Sequence, residues 1–182
     1  MQNQWLQKLR MAGLAVLVSL LVPSSGFAQK QAAKLRAGDV APPVAGLDQD
    51  GQEWKLASAK GEKVVLLYFY PKDDTPGCTQ EACGLRDRMG ELKTQGVEVV
   101  GVSFDDAASH RQFIAKHDLN FRLLADTDGK IADAYGARQP GQSRARRVSF
   151  LIGKDGKILH VTDSPSAEVH LREMREATAK LK

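Results

Sequence analysis

The chain is poor in the residues on which several common functions depend. Its 182 residues include only 2 cysteines and 4 histidines. The cysteines, Cys78 and Cys83, do not form the C-x-x-C motif of a disulfide-exchange protein, and no histidine lies at metal-ligand spacing from either of them. We therefore expect no metal and no cofactor. Each histidine is predicted to be a surface or boundary residue: His110, His117, His160 and His170.

The chain also lacks an apolar run of the roughly 20 residues that a membrane-spanning helix needs. The run from Met11 to Val22 is shorter; it follows a basic start and is followed by small residues that end at Ala28. This is the three-part pattern of a secretory signal peptide. We expect residues 1–28 to be removed by cleavage after Ala28. The protein is then expected to be exported to the periplasm or another oxidising compartment and to have no stable association with the membrane. An uncleaved membrane anchor is the alternative.

No large excess of charge is present. The formal net charge is +4, and two of the positive charges belong to the predicted signal peptide. The remainder, residues 29–182, is therefore close to neutral, which gives no reason to expect nucleic acid as a partner. It has the size of one ordinary domain and contains no internal repeat.

The hydrophobic pattern of residues 29–182 predicts an α/β domain. Apolar stretches on both sides of Asp50-Gly51 predict an N-terminal β-hairpin within residues 42–58. The elements expected after it are strands at 63–70 and 96–104, each followed by a helix (77–93 and 106–118), a short strand at 121–126, a short helix at 129–137, a strand pair at 147–152 and 157–161, and a last helix at 166–182. This order predicts a mixed central β-sheet flanked by helices.

Both cysteines fall in the first of these helices. Its apolar positions are spaced by four and three residues and form one face: Cys78, Ala82, Leu85, Met89 and Leu92. Cys78 opens this face and Cys83 lies to one side of it. Five residues along an α-helix separate two Cα atoms by about 8.6 Å, whereas a disulfide needs less than about 7 Å. A disulfide between Cys78 and Cys83 therefore requires this segment to unwind, which is typical of a two-state redox pair.

Cys78 lies in the first turn of the helix, where free N–H groups and the helix dipole favour an anion such as a thiolate. Pro76-Gly77 suits a helix start that a small ligand can approach, and Thr75 places a hydroxyl three residues before the thiol. A reactive thiol is one interpretation. The alternative is a buried cysteine with only a packing role and Thr75 as an ordinary N-cap. We predict that Asp73-Asp74 lies on a solvated loop face.

The stretch "FYPKDDTPGCTQEACGLRD" resembles the active-site segment of peroxiredoxins, specifically the bacterioferritin-comigratory or peroxiredoxin Q subfamily of the AhpC/TSA superfamily. Pro71, Thr75 and Cys78 meet the motif Pro-x-x-x-Thr-x-x-Cys. Later segments are similar as well, so that the resemblance covers most of residues 35–163. It implies a thioredoxin-like fold and a thiol-specific peroxidase that reduces hydrogen peroxide and organic hydroperoxides.

The resemblance also implies roles for individual residues. Cys78 corresponds to the peroxidatic cysteine, which becomes a sulfenic acid. Cys83 corresponds to the resolving cysteine of one branch of the subfamily, which closes an intramolecular disulfide. Thr75 would hydrogen-bond the peroxide, and Pro71 would shield the thiolate from water.

The active-site arginine of the family matches Arg147, whose guanidinium would hold the thiolate and polarise the peroxide. The residues alone do not separate Arg147 from Arg144 and Arg146, and a solvated basic loop is the alternative for all three. The loop at 138–146 departs from the family because it lacks the aromatic and Lys-Gly pattern common before that arginine. This leaves the substrate preference open.

The partners implied by the resemblance are a hydroperoxide substrate and an external dithiol, such as a thioredoxin-like protein, that reduces the disulfide. The subfamily is largely monomeric, so a monomer is expected. Two other functions stay open from the residues alone, namely extracytoplasmic thiol-disulfide exchange and copper binding on a thioredoxin-like fold. The C-x-x-x-x-C spacing suits neither of them, because they call for C-x-x-C or for C-x-x-x-C with a partner histidine.

Overall fold

The computed structural model describes residues 34–181, so the predicted signal peptide lies outside the described residues. The first element is the predicted hairpin, in which strands β1 (Ala45–Leu47) and β2 (Glu53–Lys55) pair antiparallel. Its turn is held by the carboxylate of Asp48, which accepts hydrogen bonds from two backbone N–H groups of the turn, both at 2.9 Å. A short helix that the sequence pattern did not predict, α1 (Leu56–Ala59), follows directly.

A five-stranded sheet forms the middle layer. Its strands are β3 (Val64–Phe69), β4 (Val97–Ser103), β5 (Arg122–Ala125), β6 (Val148–Ile152) and β7 (Ile158–Asp163). They lie in the order β5-β4-β3-β6-β7; the pairs among β3, β4 and β5 are parallel, and those of β6 with β3 and β7 are antiparallel. The predicted mixed sheet and its strands are confirmed. The central strands read as continuous apolar runs because both of their faces are covered.

Helices and the hairpin cover the sheet. The remaining helices are α2 (Pro76–Asp87), α3 (Met89–Thr94), α4 (Ala107–His117), α5 (Lys130–Ala134) and α6 (Ala167–Thr178). Asp106 directly precedes helix α4 and caps it, because its side chain accepts the N–H of Ser109. Of the helices within residues 34–181, none combines the length and the apolar character that crossing a bilayer requires.

The prediction of one helix over residues 77–93 is wrong, because the segment forms two. Helix α2 ends at Asp87, and the backbone leaves helical geometry at Arg88, where ψ is 3°. The N–H of Arg88 bonds to the carbonyl of Leu85, three residues back, which closes a tight last turn. Helix α3 begins at the next residue. The apolar face continues across the break because its members in α3 are also buried.

Each face of the sheet has its own apolar core, since neighbouring residues of a strand point to opposite sides. Along β3, Val65, Leu67 and Phe69 face the hairpin, α1 and α5. Leu66 and Tyr68 face the core that α2, α3, α4 and α6 complete. This three-layer arrangement brings the start of α2 to the carboxyl ends of the parallel strands β3 and β4, where open α/β sheets bind their ligands.

Candidate active site

The active-site loop, residues 70–75, leaves the carboxyl end of β3 and leads into α2. Asp74 has a positive φ of 56°, which is the left-handed conformation. Its carboxylate is held at 2.5 Å by Lys116 and at 2.8 Å by His117, both at the end of α4. Thr75 returns to an extended conformation with ψ of 151°. The backbone conformation therefore changes sharply between these two residues, and the chain enters α2 directly after them.

The start of α2 leaves its backbone donors open. Pro76 is the first helical residue, so Cys78 is the third and lies in the first turn, where N–H groups have no partner within the helix. The N–H of Thr79 is the first along α2 to donate a hydrogen bond to a carbonyl four residues before it, that of Thr75, at 2.8 Å. Thr75 does not cap the helix, because its hydroxyl donates to the carbonyl of Lys72 at 3.1 Å. The ordinary N-cap that was the alternative for Thr75 is therefore not present, and the helix start can receive an anion.

Arg147 lies directly before β6 and contacts Cys78. The residue is 8% exposed and Cys78 is 2% exposed. Nη2 of Arg147 donates to Sγ of Cys78 at 3.3 Å, Nη1 binds the carboxylate of Glu81, and Nε donates to the carbonyl of Pro165 at 3.2 Å. These partners belong to α2 and to the turn between β7 and α6. Together they hold the planar guanidinium in one orientation.

The structure separates the three arginines that the sequence left open. Arg144 is exposed and donates to a glutamine of its own loop at 3.0 Å. Arg146 binds an aspartate at the end of β7 and a backbone carbonyl. Of the three, Arg147 is the one whose side chain reaches Cys78.

The charges around Cys78 compensate one another in a buried environment. Burial alone would lower the pKa of Arg147, but the Glu81 carboxylate and the Cys78 sulfur raise it, so the guanidinium stays charged. Burial raises the pKa of Glu81 above its usual range, and the positive charge of Arg147 opposes this rise. A permanent positive charge therefore lies 3.3 Å from Sγ of Cys78.

His170 of α6 lies behind Glu81. Its Nδ1 is 3.5 Å from Oε1 of Glu81 and accepts a hydrogen bond from the hydroxyl of Ser149 at 2.7 Å. Its Nε2 is 2.9 Å from the carbonyl of Ser164, which can only accept, so Nε2 carries the hydrogen. Burial lowers the pKa of His170 to about 4, and the charge of Arg147 acts in the same direction. The imidazole is therefore neutral at pH 7.

Two predictions about polar residues are wrong. His110 and His170 are 0% and 1% exposed, so they are core residues and not surface or boundary residues. Asp73 is 6% exposed and does not lie on a solvated face, whereas Asp74 is exposed as predicted. Each buried group has a polar partner that offsets its loss of water: Asp73 binds His110, and His170 binds Ser149. These partners come from distant parts of the chain.

Glu81 is a site residue that the sequence reasoning missed. It is 1% exposed and reaches Arg147 from the face of α2 that carries Cys78. A signal for it was present, because it stands three residues after Cys78 and is therefore a charged residue on the apolar face. A carboxylate in that position needs a buried cation as its partner.

A cavity of about 470 Å³ opens beside the active-site loop. Its lining residues are Pro71, Lys72, Thr75, Phe104, Asp105, Ser143 and Arg144. Two of the predicted site residues, Pro71 and Thr75, are thus in its wall. The volume is in the range of pockets that bind small organic molecules.

Cys83 lies on the same helix as Cys78, is half-buried, and like Cys78 is a free thiol. Helix α2 is continuous between them, so the helical geometry that keeps the two sulfurs from bonding applies. Gly84, the next residue, packs so closely on Leu171 of α6 that a Cβ there would lie 2.6 Å from a methyl carbon. A Cys78–Cys83 bond would therefore disturb this helix contact as well as α2 itself.

The arrangement is suited to a thiol nucleophile that is activated by a neighbouring cation. A buried sulfur, a fixed guanidinium and a helix start with free N–H groups meet at one point next to a cavity. Within residues 34–181, no three side chains of His, Cys, Asp or Glu are grouped in a way that could hold a metal ion.

We expect His170 to make the folded state sensitive to acid. Its pKa of about 4 lies below the ordinary value of 6.5, so the stability it supports is present above pH 6.5 and is lost as the pH falls toward 4. The variant His170→Gln does not titrate and should lose about 2 to 3 kcal/mol less unfolding free energy between pH 7 and pH 4. Urea unfolding of both proteins at the two pH values measures this difference. Equal losses in the two proteins would contradict the expectation.

Comparison with known proteins gives consistent results at the level of sequence and of structure. Residues 37–161 match the AhpC/TSA family. The chain is 44% identical over 142 residues to peroxiredoxin Bcp of Escherichia coli K12, which covers 75% of this chain and 90% of that protein. It is 36% identical over 178 residues to the chloroplastic peroxiredoxin Q of Triticum aestivum, which covers 87% of this chain and 79% of that protein. The crystal structure of peroxidoxin BcpB from Mycobacterium tuberculosis superimposes with a TM-score of 0.77 at 28% identity, over 81% of this chain and 99% of that chain.

These similarities confirm the thioredoxin-like fold and the peroxidase function that the cysteine motif implied. The protein is accordingly an oxidoreductase that reduces peroxides at the expense of a thiol reductant. Since the family match spans most of the domain and the identity to a named relative is 44%, the chain belongs to the AhpC/TSA family of peroxiredoxins, in the branch of Bcp and peroxiredoxin Q.

Proposed function

We propose that Cys78 is the peroxidatic cysteine of this thiol-specific peroxidase. The observation that carries the proposal is the 3.3 Å contact between Nη2 of Arg147 and Sγ of Cys78 at the open start of α2. The Cys78 thiolate attacks one oxygen of the hydroperoxide; an S–O bond forms and the O–O bond breaks. The hydroperoxide proton ends on the leaving oxygen, which departs as water or an alcohol. The sulfur loses two electrons and becomes a sulfenate, and the peroxide gains the same two.

The residues around Cys78 act on this step through charge and position. The guanidinium of Arg147 stabilises the thiolate before the attack and the charge that develops on the peroxide oxygens during it. The first-turn N–H groups of α2 add donors that are fixed before the reaction starts. The hydroxyl of Thr75, which donates to Lys72 in the resting structure, turns to the peroxide. Pro71, in the wall of the cavity, keeps water from the sulfur.

Cys83 is the resolving cysteine in this proposal. After α2 unwinds between the cysteines, the sulfenate takes up a proton from water and becomes the sulfenic acid. The sulfur of Cys83 then attacks the sulfur of Cys78; an S–S bond forms, the S–O bond breaks, and the oxygen leaves as water with the proton of the Cys83 thiol. Unwinding separates Glu81 from Arg147 and moves Gly84 away from α6. Gly84 also lowers the cost of unwinding, because a glycine weakens a helix by about 1 kcal/mol relative to alanine.

An external dithiol, such as a thioredoxin-like protein, returns the enzyme to its reduced form. One thiolate of the reductant attacks the Cys78–Cys83 disulfide, and its second thiol then closes a disulfide within the reductant. Two electrons and two protons pass to the enzyme. Helix α2 can then re-form, because the two sulfurs are no longer joined.

We further propose that the protein acts as an exported monomer, in the periplasm or a comparable compartment, without stable attachment to the membrane. The support is the basic start, the apolar run and the small residues that end at Ala28. An oxidising compartment preserves disulfides, so recycling of Cys78 and Cys83 there depends on a dedicated dithiol that the cell supplies outside the cytoplasm.

The roles of the two cysteines are tested by mass spectrometry and thiol counting on the mature protein, before and after one equivalent of hydrogen peroxide. The wild-type protein should lose two hydrogens and both thiols as the disulfide forms. Cys83→Ser should instead hold a sulfenic acid on Cys78, and Cys78→Ser should not react. Survival of both thiols in the wild-type protein would remove Cys78 from this role. Insulin reduction and Cu(I) titration would then decide between disulfide exchange and copper binding.

The contact between Arg147 and Cys78 predicts that the geometry of the guanidinium, and not only its charge, affects the rate of peroxide reduction. Arg147→Lys keeps the charge but cannot reach Cys78, Glu81 and Pro165 at once, so the rate constant with hydrogen peroxide should fall about 100-fold. Arg146→Lys is the matched control, since it makes the same change at the preceding residue, whose side chain binds Asp163 and the carbonyl of Gly136 and reaches neither Cys78 nor the cavity. Competition with horseradish peroxidase for peroxide measures both rates. Similar rates in the two variants would exclude Arg147 from the mechanism.

Export predicts a defined mature N-terminus. When the full chain is produced in a bacterium with two membranes, the protein recovered from the periplasmic fraction should begin at Gln29. A variant without residues 2–28 should stay in the cytoplasm. An intact N-terminus in the membrane fraction would favour the uncleaved anchor, and full-length protein in the cytoplasm would contradict export.

A further inference from the structure

A buried cluster that the mechanism above does not use fastens the active-site loop to α4. Its centre is the carboxylate of Asp73, in the middle of the loop. Oδ1 accepts a hydrogen bond from the hydroxyl of Tyr70 at 2.7 Å. Oδ2 accepts one from the hydroxyl of Ser109 at 2.7 Å and lies 2.8 Å from Nδ1 of His110. A single carboxylate thus joins the start of the loop to the first turn of α4.

The buried ring of His110 joins Asp73 to β5. Nε2 of His110 lies 3.1 Å from the carbonyl of Leu124 in β5, which can only accept, so this nitrogen carries a hydrogen. Burial alone would raise the pKa of Asp73, but its contacts with His110, Tyr70 and Ser109 lower it. The ring of His110 is itself 0% exposed.

The backbone of the loop is held at the same residue. The N–H of Asp73 donates to the carboxylate of Asp105 at 3.0 Å, and that carboxylate accepts the hydroxyl of Ser103 at 2.7 Å. Ser103 is the last residue of β4. Asp73 is therefore tied through its main chain to the neighbouring parallel strand and through its side chain to α4.

These ties lie between two residues of the site and next to a segment that has to move. Pro71 and Thr75 are each two residues from Asp73, and Asp74 between them is held by the end of α4. The unwinding of α2 begins directly after Thr75. A buried hydrogen bond adds little net stability, because both groups are hydrogen-bonded to water in the unfolded chain. Its benefit here is that it fixes a geometry.

We propose that Asp73 and His110 are positioning residues for peroxide reduction: they hold the active-site loop in place, so that Thr75 and Pro71 meet the peroxide correctly while α2 unwinds and re-forms in each cycle. The inference rests on the proposed role of Cys78. It assigns the loop to the rigid part of the enzyme and places the boundary of the moving part at Thr75.

The experiment separates reaction with peroxide from reactivity of the thiol itself. All variants are made in the mature Cys83→Ser protein, in which Cys78 reacts alone. The rate constant with hydrogen peroxide depends on Thr75 and Pro71, whereas alkylation by iodoacetamide depends on the thiolate and on access to it. Asp73→Asn and His110→Leu should lower the peroxide rate about 10- to 100-fold, because small misplacements of site groups have effects of this size. Alkylation should change by less than about twofold, since neither variant alters the contact of Cys78 with Arg147.

A conservative variant and a control distinguish positioning from general stability. His110→Asn places an amide donor where Nδ1 of the ring stands, so it should recover most of the peroxide rate. Asp126→Asn alters another buried aspartate, 3% exposed, which accepts the N–H groups of Ile131 and Ala132 at the start of α5. It should lower the unfolding free energy in urea and leave the peroxide rate unchanged.

Each outcome has a defined meaning. Peroxide rates equal to that of the parent protein in Asp73→Asn and His110→Leu would overturn the proposal, and so would parallel losses of the peroxide and alkylation rates. If these two variants do not fold, Tyr70→Phe and Ser109→Ala each remove one donor to Asp73 and should lower the peroxide rate about 3-fold or more; unchanged rates in both would overturn the proposal. A parent protein that fails to react with peroxide would instead refute the role of Cys78.

Discussion

The buried positive charge of Arg147 next to the Cys78 sulfur is the constraint on which the rest of the site depends. A buried guanidinium needs a buried counter-charge, and Glu81 supplies it from one turn further along the helix that carries the cysteine. That carboxylate has in turn to be kept in place, and the neutral ring of His170 lies against its second oxygen. The carbonyl of Pro165 completes the shell around Arg147. The surroundings of one sulfur thus connect side chains of α2, of the residue before β6 and of α6.

In the proposed catalytic cycle, helix α2 has to meet two opposing requirements. It must be helical for Cys78 to lie in a first turn with free donors, and it must unwind for Cys78 and Cys83 to bond. The contact between Arg147 and Glu81 and the close packing of Gly84 on α6 stabilise the helical form of α2. The unwinding of α2 is limited on one side by the active-site loop, which Asp73 holds to α4, and on the other side by the helix break at Arg88. The segment that has to move is therefore short and bounded.

Much of the fold could be predicted from the sequence because its signals are local. Continuous apolar runs marked the central strands, and spacings of four and three marked the apolar face that begins at Cys78. The break at Arg88 was not predictable in this way, because the apolar spacing runs through it without interruption. His110 and His170 were predicted to be surface or boundary residues because neither stands at metal-ligand spacing from a cysteine, and Asp73 was predicted to lie on a solvated loop face. Their burial depends on partners that a local pattern does not contain.

The sequence by itself determined the family and, through it, the peroxidase function, because the motif that ends at Cys78 carries the resemblance. The five-residue spacing from Cys78 to Cys83 adds that a disulfide between them requires the helix to unwind. Only the tertiary structure decided which arginine serves that thiol, which carboxylate balances it, and which aspartate holds the loop. The reason is separation along the chain: Arg147 lies 69 residues from Cys78 and 66 from Glu81, and Asp73 lies 37 from His110. Periodicity describes the faces of one helix or strand, whereas contacts across such distances follow from the order and direction of the strands in the sheet.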